Sequence, residues 1–357
     1  MPHQRRSLNI SDSAAHPPLF VAPMVGLTHV ALRELLQEYC PPGFTIFKHT
    51  EMISTRRLPS EKLEGPESLR TAKGEKNLIP QLLGNEKHFI EASIKKLEAW
   101  EPIAYDINMG CPVKHTLKHN WGVRLMGDVE YAKRVVDYAK KSTSRPVSVK
   151  LRASAQDEQS EEALICFVRG LQDAGANWIT LHARSAEARH SGVADWSIVK
   201  KLRKQLHIPV IVNGDIQTWQ DVCHLLEESD IDGVMLGRIA TARPWVIWQC
   251  AHKLGFKSPP PAAQSELHQD PPWTPEEERN EYLRCCSRML QLLQKHYERE
   301  DFVVERFRFF IATGCRWFPF GHHFWKLSTK AKSIVELHDM IRPESLGADG
   351  MLQRIRM

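Results

Sequence analysis

No run of apolar residues approaches the ~18 that a membrane span requires, because Lys, Arg or polar side chains interrupt each one. The opening segment, Met1 to Pro18, carries Arg5 and Arg6 but no apolar stretch behind them, so it does not read as a secretory signal. The eight cysteines stand at 40, 111, 166, 223, 250, 285, 286 and 315, without a C-x-x-C pair or regular Cys/His spacing. That pattern argues against a disulfide framework and against a bound metal. Free thiols without an export signal lead us to expect a reducing, cytoplasmic location. A G-x-G-x-x-G turn is missing after the first apolar run, and no repeat of about 20–50 residues is visible. Strong charge of either sign is absent as well. The formal net charge of +5 permits a polyanionic partner without demanding one.

What is present is a chain of 357 residues, 42% apolar and 25% charged, the balance of a soluble globular protein. Short apolar, often β-branched runs recur at Leu19–Ala22, Phe44–Phe47, Leu78–Leu83, Ile103–Ile107, Val147–Lys150, Trp178–Leu181, Val210–Val212 and Gly233–Leu236. They read as strands buried on both faces. Amphipathic segments lie between them: Glu86–Ala99, Tyr131–Lys141, Ser160–Ala174 and Trp219–Glu228. This βα alternation predicts a (β/α)8 TIM barrel over residues 19–256. A proline-rich linker, 257–275, follows, with prolines at 259, 260, 261, 271, 272 and 275. Thr274 then reads as an N-cap and Pro275 as the first residue of a helix to Glu300, opening a smaller all-helical domain over 276–357.

Barrel chemistry gathers where strands run into βα loops. The residues there are Pro23 and Met24; Glu51 and Met52; Gln81; Asn108 and Cys111; Lys150 and Arg152; His182 and Arg184; Asn213 and Asp215; Gly237 and Arg238. Asn213-Gly214-Asp215 and Gly237-Arg238 suit a phosphate, since glycine lets backbone N–H groups approach and Arg forks onto oxygens. Lys150 admits three readings: a Schiff-base nucleophile, a cation beside an electron-rich ring, or a solvated strand end. His182 could hold a phosphate or sit as a satisfied core histidine. Gln81 could bond a flat heterocycle through donor and acceptor, or simply end a strand. Cys111, between Gly110 and Pro112, would be held by a tight turn as a proton donor, or be an inert buried thiol.

These stretches together resemble the tRNA-dihydrouridine synthases, a family of flavin enzymes. The resemblance rests on Ala22-Pro23-Met24, Thr50-Glu51-Met52, Gln81 to Gly84, Asn108-Met109-Gly110-Cys111-Pro112, Gly122 to Met126, Val149 to Arg152, His182 to Trp196, Val212 to Ile216 and Asp232 to Arg238. It covers about residues 19–248, in order. It implies FMN at the barrel mouth, with Pro23, Met24 and Gln81 on the ring and Lys150 at its N1/C2 edge. His182, Asn213, Gly214, Asp215, Gly237 and Arg238 would hold the ribityl chain and phosphate. NADPH would reduce the flavin, hydride would pass to C6 of a tRNA uridine, and Cys111 would protonate C5. Asn108 and Arg184 would contact the substrate. Two positions depart from the family pattern: the bulkier Ile239 to Trp245 after Arg238, and His190, where relatives often carry Tyr.

Residues Phe302 to Met357 hold nine Lys/Arg against five Asp/Glu, interleaved with aromatics. Arg306, Arg308, Arg316, Lys326, Lys330 and Lys332 are therefore the candidates for an RNA backbone, and the aromatics for the helical core. A monomer is expected. The rival readings are a flavin reductase of a small pyrimidine or enone, a Schiff-base lyase without flavin, and a catalytically idle RNA binder.

Overall fold

The computed structural model describes residues 6–8, 10, 16–64, 66–154, 160–187, 193–227, 231–263, 270–347 and 349–355. Eight strands pair in parallel: β1 (Leu19–Val21), β2 (Ile46–Ser54), β3 (Leu78–Leu83), β4 (Tyr105–Met109), β5 (Val147–Ser154), β6 (Trp178–Ser185), β7 (Val210–Asn213) and β8 (Gly233–Leu236). They close in sequence order, with β8 bonded to β1. Between them run α1 (Val30–Glu38), α2 (Lys87–Leu97), α3 (Lys114–Lys118), α4 (Val129–Ser142), α5 (Glu161–Asp173), α6 (Ser197–Gln205) and α7 (Trp219–Glu227), and α8 (Ile239–Ala242) and α9 (Val246–Lys253) follow β8. The fold is the expected (β/α)8 barrel. Helices α10 (Pro275–His296), α11 (Glu300–Gly314), α12 (Gly321–Lys330), α13 (Ile334–Met340) and α14 (Pro343–Leu346) form the helical region behind it.

Several elements differ in their bounds from the sequence reading. β2 starts at Ile46 and runs to Ser54, through Lys48, His49, Thr50 and Glu51, which look like a loop by polarity. They stay in the strand because the barrel supplies partners: His49 Nδ1 lies 2.9 Å from Val21 O, and Lys48 Nζ donates to Gln37 Oε1 at 3.1 Å. A register shift between His49 and Met52 marks a bulge there. β5 and β6 continue to Ser154 and Ser185, past their apolar runs. The helix expected from Pro275 to Glu300 ends at His296, where Tyr297 turns extended and buries its ring against Phe302, and α11 starts at Glu300. Its start is as read: Thr274 and Glu277 form a reciprocal capping box.

The lower lumen is apolar. Phe20, Phe47, Ile79, Ala104, Trp178, Ile211 and Met235 fill it, and Leu8 and Ile10 close it from below. The N-terminal segment is thus more than a polar leader. Arg6 fastens it through its backbone N–H to Asp232 Oδ1 (3.0 Å) and its guanidinium to Ile208 O (3.0 Å).

The helical region and the barrel's outer layer share one continuous hydrophobic cluster. α10 lies along α1, where Tyr39 donates to Glu281 and its hydroxyl sits 3.0 Å from Cys285 Sγ. Arg243, just past α8, is buried on Glu278 of α10 (Nε to Oε1, 3.1 Å), and Trp245 Nε1 donates to the same oxygen at 3.1 Å. Arg243 also donates to Leu352 O, and Ile355 N donates to Gln217 Oε1 at 2.8 Å. The unusual Ile239 to Trp245 stretch is thereby explained: it is the surface on which the helical region docks.

Glu278→Ala strands a buried guanidinium, and we expect a loss of about 3–5 kcal/mol in urea unfolding. The double substitution Arg243→Met with Glu278→Leu removes both charges and should recover most of it.

Candidate active site

The strand ends open into a cavity of about 280 Å³ at the C-terminal face of the barrel. Of the residues singled out from sequence, Pro23, Met24, Asn108, Cys111, Lys150, His182, Asn213, Gly214, Asp215, Gly237 and Arg238 line it. Gln81 and Arg184 are not among its lining residues. Gln81 is fully buried in the row beneath, its Nε2 donating to Asp106 Oδ2 at 2.7 Å. Arg184 is buried on Asp215, with Nη2 to Oδ2 at 2.6 Å, and this pair braces the loop after β7. His190 lies outside the described residues.

The Cys111 turn is fixed from four directions. Asn108 Oδ1 accepts from Gly110 N (3.1 Å) and Cys111 N (2.9 Å). Val123 N donates to Cys111 O at 3.1 Å, and Thr116 Oγ1 does so at 3.2 Å. Arg152 Nε holds Gly110 O at 3.1 Å. Gly122 is required: its φ is +59°, and a Cβ there would fall 2.5 Å from Cys111 O. The backbone is locked while the half-buried thiol faces the cavity.

Lys150 sits across β5 from Asn108 and beside Thr180 of β6. Burial first, then the neighbouring Arg152 charge, pushes its ammonium down to about 8, against the opposing pull of Asp106 and Cys111. On the far side, the β7 and β8 ends make a cradle. Gly214 has φ +111°, and a Cβ there would meet His182 Cδ2 at 2.8 Å. At Gly237 a Cβ would enter open space, so bare backbone faces whatever approaches. Arg238 lines the same wall, its guanidinium depressed by burial. Asp215 lines it too, but its Oδ2 is taken by Arg184 and by Ala194 N at 2.7 Å. A carboxylate has no donor for a phosphate, so Asp215 contributes here by shaping the turn. Ala22, Met24, Met52 and Met235 add apolar surface. An anion-friendly cradle beside a flat apolar wall with a single amine fits a phosphorylated heterocycle. Among the described residues no cluster of His, Cys, Asp or Glu could hold a metal ion, and no helix is long and apolar enough to cross a membrane.

The profile described as Dihydrouridine synthase (Dus) matches residues 20–333. The chain belongs to the dihydrouridine synthase family. A protein named probable tRNA-dihydrouridine synthase from Rickettsia bellii (strain RML369-C) is 31% identical over 252 residues, 70% of this chain and 76% of its own length. A second, probable tRNA-dihydrouridine synthase 1 from Synechocystis sp. (strain ATCC 27184 / PCC 6803 / Kazusa), is 30% identical over 264 residues, 73% of each chain. Among solved structures, a 2-naphthoyl-CoA reductase bound to 2-naphthoyl-CoA superposes with a TM-score of 0.50 at 12% identity, covering 68% of this chain and 50% of that one, a likeness of fold.

The sequence reading did not single out Asp106 and Ser148, which lie near the starts of β4 and β5, below the cavity. Their signal is alternation: Asp106 and Asn108, like Ser148 and Lys150, are two apart on otherwise apolar strands, so each pair shares the inner face. In the helical region Phe307, Phe310, Trp317, Phe318 and Phe324 are core, as expected of the aromatics, whereas Phe309, Phe320 and Trp325 are exposed.

An amine titrating near 8 reacts where surface lysines, near 10.4, stay protonated. Brief reductive methylation followed by peptide mass spectrometry should modify Lys150 at pH 8, with its rate levelling off just above while other lysines keep accelerating. A Lys150 rate that still climbs at pH 10 would contradict this environment.

Proposed function

We propose that this chain reduces uridines of tRNA to 5,6-dihydrouridine, using a bound FMN and NADPH as reductant. The observation that carries the reading is Cys111: a thiol on a locked turn, opening onto the cavity that also holds the Lys150 amine and the Gly214/Gly237 cradle. His182, Asn213, Gly237 and Arg238 would hold the phosphate and ribityl chain, and Pro23, Met24 and Lys150 the ring. FMN, when bound, supplies hydride to C6 of the uracil.

The chain's own residues do the rest. Cys111 Sγ–H delivers a proton to C5, so that hydride and proton addition are positioned together on a weakly electrophilic double bond. One Asn108 Nδ2 hydrogen is directed at Gln81 Oε1 (2.8 Å) and the other at Met52 Sδ (3.1 Å). Thioether sulfur is a weak acceptor, so the second hydrogen is easily transferred to a uracil carbonyl. The target base must leave its stack to enter a cavity of this depth. Exposed Arg316, Lys326, Lys330 and Lys332 offer cations to the RNA backbone. Arg308 leaves that set, since its guanidinium is spent on Ser328 O (2.9 Å) and Ala331 O. Arg306 leaves it too, stacked over Phe302 at 4.6 Å. We place the reaction in the cytoplasm.

The purified protein should be yellow, bleach with NADPH under anaerobic conditions, and regain colour on adding unmodified tRNA. Bleaching without response to tRNA would favour a small-molecule reductase. A colourless protein that FMN cannot reconstitute would leave Lys150 as a Schiff-base candidate. Cys111→Ala should keep the flavin and its bleaching by NADPH but slow tRNA-dependent recolouring by about 10²–10⁴-fold, the usual worth of a general acid. Loss of flavin instead would make Cys111 structural.

A further inference from the structure

Beneath the cavity floor lies one buried row across β3, β4 and β5: Gln81, Asp106 and Ser148 are register partners. Asp106 is completely buried, yet neither a substrate nor solvent reaches it. Its Oδ1 accepts from Ser148 Oγ at 2.5 Å and its Oδ2 from Gln81 Nε2 at 2.7 Å. Both carboxylate oxygens accept, and this sets the direction of everything above them. Gln81 must turn its Nε2 toward Asp106, so its Oε1 faces Asn108. Asn108 must then offer Nδ2 to Gln81 (2.8 Å), which leaves Oδ1 for Gly110 N and Cys111 N. Inverting either amide would set N–H against N–H. The two backbone donors of the Cys111 turn are therefore satisfied only because the row begins in an acceptor.

We propose that Asp106 is the positioning residue of this site: through Gln81 and Asn108 it fixes the rotamer polarity that pins the Cys111 turn. Its role in turnover rests on the function proposed above, but its effect on the turn does not. The carboxylate also faces Lys150 and His49, whose charged forms it favours.

Two substitutions separate orientation from charge. Asp106→Asn can still present Oδ1 to Gln81 while its Nδ2 donates to Ser148 Oγ, which turns its own hydrogen toward Tyr105 O, already 3.4 Å away. Asp106→Leu leaves Gln81 without an acceptor. The first readout is hydrogen–deuterium exchange by mass spectrometry on the peptide holding Gly110 and Cys111, with no flavin or tRNA chemistry required. We expect exchange about tenfold faster in Asp106→Leu, the scale of one lost hydrogen bond, and near wild type in Asp106→Asn. The second readout splits the two half-reactions. Asp106→Leu should recolour with tRNA at least about tenfold more slowly, beyond any change in its bleaching by NADPH, with Asp106→Asn restoring it. Should Asp106→Leu fail to fold, Gln81→Leu interrupts the same relay and must give the same pattern. Unchanged exchange at the turn, general loosening of β3 to β5, or equal damage from Asp106→Asn would each overturn the proposal. If the exchange pattern holds while wild type ignores tRNA, the relay stands and the assigned reaction fails.

Discussion

The lumen of a closed parallel barrel contains no bulk water, so each inward side chain must be apolar or must find a partner on a neighbouring strand. This chain divides that lumen by height. Below, Phe20, Phe47, Trp178 and Met235 pack with Leu8 and Ile10. Above, His49, Gln81, Asp106, Ser148 and Lys150 carry polar groups into the lumen. The boundary is the floor of the cavity. Asn108 stands on this polar layer, and the orientation of the Cys111 turn is inherited through it.

Much of the fold was legible in the sequence because parallel strands leave continuous apolar runs, and all eight runs correspond to barrel strands. Their ends were less legible. β2, β5 and β6 run on through polar residues, since hydrogen bonds to neighbouring strands outweigh local polarity. The break at Tyr297 has no glycine or proline to announce it; packing of its ring makes it.

For the site, residues that touch the cavity were readable as strand-end chemistry, and eleven of the thirteen given a binding or catalytic role line it. Gln81 and Arg184 lie outside that lining for a common reason. Sequence locates a residue at the mouth but not the direction of its side chain, and both turn to a neighbouring carboxylate, Asp106 on β4 and Asp215 just past β7. The role of Asp106 was hidden because a polar residue inside an apolar run has meaning only once its register partners are known.

The buried guanidinium of Arg243 also has a consequence in time. Its partners are Glu278, 35 residues on, and the carbonyl of Leu352, 109 residues on. At the usual ~5–20 residues per second of synthesis, that second interval is about 5–20 s. During it the eight strands have already been synthesised while a charged group on their outer layer awaits its second partner. The emerging barrel therefore passes through a period with an open, partly apolar flank, and the stretch around Leu352 is what seals it.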